Sequence, residues 1–123
     1  MKKLILIAAM LASAYMSYAA ISSIERSGSW YYIYDENGRR THTISASSTG
    51  QVVGWSSTFF VSRNGSWYYL YDENCRRYRT LSASSVGNVI AVSGDTFISR
   101  NGSWIYTYNR EGKRINTRAA STR

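Results

Sequence analysis

The sequence predicts an all-β fold assembled from antiparallel four-stranded repeat units, and three observations carry that prediction. Tyr, Trp, Thr, Ser and Val dominate after residue 25 while proline is absent, which is the composition of strands. Trp30, Trp67 and Trp104 stand 37 residues apart with no insertion between them. Short turn signals divide each such period into segments of about five or six residues, the usual strand length. With 15% aromatic and only 18% charged residues, the chain can bury enough surface to fold, which excludes a disordered polymer.

The first nineteen residues stand apart from the repeats. Lys2 and Lys3 precede an apolar run from Leu4 to about Ala14, and small residues end in Ser17-Tyr18-Ala19. That is the layout of a secretory signal peptide cleaved after Ala19. The run is shorter than the ~20 residues needed to cross a bilayer, so no membrane span is expected after cleavage. Residues 20–123 then form one domain of three tandem repeats, 24–60, 61–97 and 98–123, in the periplasm or outside the cell. The formal net charge of +8 falls to +6 without Lys2 and Lys3. Such a balance favours polyanionic surfaces in general, and an exported protein is not expected to meet nucleic acid.

Four turns are expected per repeat. Ser27-Gly28, Asn64-Gly65 and Asn101-Gly102 read as tight hairpin turns. Glu36-Asn37-Gly38, Glu73-Asn74-Cys75 and Arg110-Glu111-Gly112 form the second set. The Ser-rich segments ending in Gly50 and Gly87 are the third, and Ser56-Ser57 and Ser93-Gly94 the fourth. Between them, "VVGW" (52–55) and "VIAV" (89–92) are apolar at successive positions and are expected to be buried on both faces. "WYYIY" and "WYYLY" are apolar or aromatic on both faces, whereas "RRTHTIS" and "RRYRTLS" are polar, as an outer strand would be. The chain from Ile24 supplies three strands for a first unit and four for each of two more.

The run from Val52 to Ser82 resembles the blade of WD-type and related β-propellers: an inner strand, a hairpin, an aromatic strand ending in Tyr-Asp, a turn and a polar outer strand. Tyr34-Asp35 and Tyr71-Asp72 take the place of that family's Trp-Asp pair, and Asn109 replaces the acid in the third copy. The Gly-His pair is replaced by Ser-Ala-Ser-Ser, so the His-Asp link of that family is not implied. "NGSWYYL" (64–70) is similar to choline-binding cell-wall repeats but lacks their Met-x-Thr-Gly-Trp continuation, and Tyr34 to Arg39 is similar to YD repeats. Propellers need about four blades to close. Three units therefore imply a homo-oligomer, with two chains making a six-bladed ring, or else an up-and-down barrel or open meander.

Catalytic chemistry is not indicated. The only histidine, His42, becomes Arg79 and Asn116 in the other copies, and one His with one Cys cannot make a zinc site. Asp35-Glu36 and Asp72-Glu73 lie at turns, where they are expected to cap the turn and pair with Arg39-Arg40 or Arg76-Arg77. No cofactor or metal is implied. The candidate ligand-binding set is Trp30, Tyr32, Arg63, Trp67, Tyr69, Arg100, Trp104 and Tyr106, since aromatic faces beside polar groups stack on sugars or hold cations. Packing in the core is the competing role for these rings. Arg39, Arg40, Arg76, Arg77, Lys113 and Arg114 are expected to form a basic stripe facing solvent or an acidic glycan. Cys75 replaces Gly38 and Gly112 in a turn that favours positive φ, and its thiol is read as solvent-facing, inert or forming an intermolecular disulfide. The resulting expectation is an exported, non-enzymatic repeat protein that binds carbohydrate or another surface polymer. The alternative is a structural protein that self-associates through its open flanks.

Overall fold

The computed structural model describes residues 20–120, so the expected signal peptide lies outside the described residues. Among the described residues eleven strands form three antiparallel sheets, and these do not close into an up-and-down barrel. The first sheet has three strands, β1 (Ser23–Ser27), β2 (Trp30–Tyr34) and β3 (Arg40–Ser45). The middle sheet has four, β4 (Gln51–Trp55), β5 (Phe59–Asn64), β6 (Trp67–Asp72) and β7 (Arg77–Ser82). The last sheet repeats that order with β8 (Asn88–Ser93), β9 (Thr96–Asn101), β10 (Trp104–Asn109) and β11 (Arg114–Ala119).

Each hairpin follows from local chemistry. β1–β2, β5–β6 and β9–β10 are joined by two-residue Gly-Ser loops whose glycines hold φ near +60° (59°, 61° and 62°), a conformation a Cβ disfavours. The next turn is capped by a side chain: Asp35 Oδ1 accepts from the amides of Asn37 and Arg39 at 2.9 and 3.0 Å, and Asp72 Oδ1 accepts from those of Asn74 and Arg76 at the same distances. A bulge recurs at one repeat position, between Ile33 and Tyr34, Leu70 and Tyr71, and Thr107 and Tyr108. It adds local twist to the outer pair of strands.

The Ser-rich segments contain a single helical turn each, Ala46–Thr49 and Ala83–Val86. These turns end at Gly50 and Gly87, where any Cβ would collide with the carbonyl of Arg63 or Arg100. Glycine is required there because the backbone of the next sheet passes against it. Ser62 and Ser99 complete the joint by donating to the carbonyls of Thr49 and Val86, both at 2.7 Å.

The sheets pack face to face, so alternate residues of a strand serve different neighbours. Val61, Tyr68 and Leu70 of the middle sheet meet Val89, Phe97 and Tyr108 of the last. Phe60 and Tyr71, on its other face, meet Ile24, Tyr31 and Ile33 of the first. Phe60 stacks on Tyr71 at 4.8 Å and Phe97 on Tyr108 at 4.9 Å, so one aromatic pair recurs at each junction. The inner strands β4 and β8 are edge strands of their sheets, and only one side of each packs. Val53, Trp55 and Ile90 are exposed, contrary to the expectation of burial on both faces. β4 and β8 approach each other closely at Gly54, whose hydrogen faces the Val92 side chain where a Cβ would come within 2.7 Å.

Candidate functional site

Strand parity decides which candidate residues share a surface. In β2, Tyr31 and Ile33 are buried, and Trp30, Tyr32 and Tyr34 point to the other face. The same side-chain parity holds in β6, where Tyr68 and Leu70 are buried, and in β10, where Ile105 and Thr107 are only half-buried; Tyr71 and Tyr108, on the tryptophan side, are buried as well. Trp30, Trp67 and Trp104 are therefore half-exposed at 48%, 50% and 50%, at the first position of the second strand of each three-strand meander. These exposures remove the tryptophans from the core. Tyr32, Tyr69 and Tyr106, two residues on, are half-buried on the same face.

The arginines divide in a way the linear sequence did not reveal. Arg63 and Arg100 sit opposite Tyr68 and Ile105 across the hairpin, on the face away from Trp67 and Trp104. Their Nε atoms donate to the carbonyls of Gly65 and Gly102, each at 3.1 Å, so both guanidinium groups brace the loop behind them. The second residue of each basic pair joins the aromatic face instead. Arg40, Arg77 and Arg114 lie over the rings of Tyr32, Tyr69 and Tyr106 at 4.4, 4.2 and 4.3 Å. Each contact is a cation–π pair worth about 0.5–1 kcal/mol when exposed. A repeated Trp–Tyr–Arg row thus exists in all three units, with a different arginine from the one expected. The missed signal was parity: a two-residue loop at 65–66 places Arg63 opposite Tyr68, not Trp67.

The expected basic stripe is correspondingly divided. Arg39, Arg76 and Lys113 extend exposed side chains from the turns, while Arg40, Arg77 and Arg114 are held against tyrosines. Asp35 and Asp72 cap backbone amides, and among the described residues none of the turn acids forms an ion pair with these arginines. The ion pair found among the described residues joins Arg110 to Glu73 at 3.7 Å, bridging the last and middle sheets. Arg110 also donates to the Thr58 carbonyl at 3.1 Å. His42 is half-buried, with Nδ1 3.1 Å from Thr41 Oγ1.

Cys75 holds φ of +62°, as the register requires. Its thiol is not solvent-facing: it is half-buried against the cluster between the first and middle sheets. Burial first, and then the Asp72 carboxylate, push its pKa up to about 12. Among the described residues no three His, Cys, Asp or Glu side chains are grouped to hold a metal ion. No helix among them is long and apolar enough to cross a membrane. Comparison with protein-family models gives no match, and comparison with curated proteins finds none similar to the chain.

Proposed function

We propose that the protein is exported and binds carbohydrate or a related surface polymer, without turning it over, through three equivalent aromatic edges. The observation that carries this reading is the half-exposed tryptophan of each unit, Trp30, Trp67 and Trp104, beside a tyrosine already stacked on an arginine. An exposed indole offers a flat apolar face for the C–H side of a sugar ring, and the neighbouring guanidinium can donate to hydroxyl or carboxylate groups. Sheets packed face to face lie about 10 Å apart, so the three edges suit successive residues of a polymer rather than one small molecule. The exposed Arg39, Arg76 and Lys113 favour an acidic polymer. The three sheets are read here as WD-like propeller blades, a reading supported by their polar outer strands and by the Asp-capped turns after Tyr34 and Tyr71.

Affinity electrophoresis through gels containing neutral or acidic polysaccharides tests this. Trp67→Ala should reduce retardation, and the triple Trp30, Trp67 and Trp104→Ala variant should lower apparent affinity on the order of 100-fold, because equivalent sites act together. Unchanged retardation of a folded triple variant, or breakdown of the polymer, would overturn the proposal.

A further inference from the structure

The two junctions within the chain share one geometry, and the outer faces of the first and last sheets carry its two unmatched halves. At the second junction, Val61, Tyr68, Leu70 and Leu81 receive Phe97, Tyr106 and Tyr108. The turn ending at Gly112 lies on the same face, its hydrogen aimed at Leu70 Cδ1 and Arg79 Cγ, with an ideal Cβ 3.2 and 3.0 Å from them. At the corresponding turn of the first sheet, ending at Gly38, no atom of the described residues comes within 4 Å of that direction. Ser23 stands opposite Tyr34 where the other units stack a phenylalanine on the tyrosine, and this leaves an open hollow of about 450 Å³. Ser23, Glu25, Tyr34, Asp35 and Glu36 line it.

The last sheet presents the other half. Ile98, Ile105 and Thr107 occupy the register of Val61, Tyr68 and Leu70. Arg118, opposite Ile105, occupies that of Leu81. Leu81 and Tyr106 pack against the same cluster from its two sides, and the residue opposite Tyr106 is Ser99. In the first sheet the equivalent of Tyr106 is Tyr32, and the residue opposite it is Glu25. Repeating the internal junction between two molecules therefore turns Arg118 of one toward the face of the other that carries Glu25 and Tyr32. The first-sheet face carries Glu25 with Asp35 and Glu36 at its rim, against the single Arg40 over Tyr32, and the last-sheet face carries Arg100 and Arg118.

We propose that these two faces dock on each other in separate copies of the chain, repeating the internal junction head to tail with Glu25 and Arg118 at the register positions that Ser99 and Leu81 hold within the chain. Polar residues replace Phe60, Ser62, Leu70 and Leu81 at these faces, so the association is reversible, unlike the two junctions within the chain. Trp30 remains half-exposed on docking, as Trp67 and Trp104 do beneath their own neighbours. The proposal is independent of the carbohydrate reading.

Sedimentation velocity of the full-length chain's folded product, over a wide concentration range, reads the association. The wild type should show a mass that rises above one chain with concentration. Glu25→Arg and Arg118→Glu, both at exposed positions, should each weaken association by at least about tenfold. An equimolar mixture of the two variants should recover it, because each reversed face then meets a reversed partner. Circular dichroism and thermal melting of each variant establish that it is folded. A wild type that stays a single chain at every concentration, folded variants that associate like the wild type, or a mixture without recovery would each overturn the proposal.

Discussion

Cys75 shows how one position in a repeat answers to its neighbours across a sheet junction as well as to its own turn. A residue with a Cβ at φ of +62° bears a cost of about 1–2 kcal/mol relative to glycine. Gly112, its counterpart, faces Leu70 and Arg79 across the junction, whereas the register sets Ile33 and His42 opposite Cys75. The thiol is accommodated in the first cluster of side chains, where sulfur packs as a small apolar group. Since its pKa is raised to about 12, the folded protein keeps the thiol protonated at pH 8, and alkylation should run about three orders of magnitude slower than for a free cysteine. The unfolded chain loses that proton near pH 8.5, so this group's stabilisation is complete below that pH and falls as pH rises toward 12. Timed iodoacetamide labelling with and without urea, and the alkaline slope of stability in Cys75→Ala, check both statements. Rapid labelling of the native protein would contradict the burial. The positive φ was legible from the register of glycines; the burial was not, because it depends on a sheet 37 residues earlier in the repeat.

Adjacent sheets are fastened by tyrosine hydroxyls. Tyr68 Oη accepts from the Val89 amide at 3.1 Å and donates to the Gly87 carbonyl at 2.9 Å, tying β6 to the start of β8. Tyr31 Oη accepts from the Val52 amide at 3.1 Å in the same way. Ile105 occupies the equivalent position in β10 and offers no hydroxyl. Tyr68→Phe leaves both backbone groups without that partner and should destabilise the protein by about 1–3 kcal/mol in urea unfolding. Faster amide exchange at Val89 should accompany it, and unchanged exchange there would remove the hydroxyl's role. From sequence, the number of strands, their antiparallel order and the positions of their turns were legible because turn chemistry is local. Which tyrosine reaches the next sheet, and which arginine joins the tryptophan face, depends on strand parity through a two-residue loop and a bulge. Neither shift appears in a linear repeat alignment, and the exposed side of β4 and β8 was hidden by runs that are apolar at every position.

At the scale of the molecule, the middle sheet belongs to two separate clusters and each outer sheet to one. Such an arrangement couples nearest neighbours only, as in other stacked repeats. Phe97 is fully buried in the second junction, stacked on Tyr108 and 6.4 Å from Phe59. Its truncation to alanine should cost about 3–5 kcal/mol, most of it from the hold of the last sheet on the middle one. Hydrogen exchange should therefore accelerate across β8–β11 in Phe97→Ala while β1–β3 keep their protection through Phe60, Tyr71 and Ile33. Leu70→Ala opens the same junction from the middle sheet's side, and it should raise exchange across β4–β11 while β1–β3 stay protected. Uniform loss of protection in Phe97→Ala would instead mean that the three sheets unfold as one unit, with the two side-chain clusters coupled through the backbone of β5 and β6.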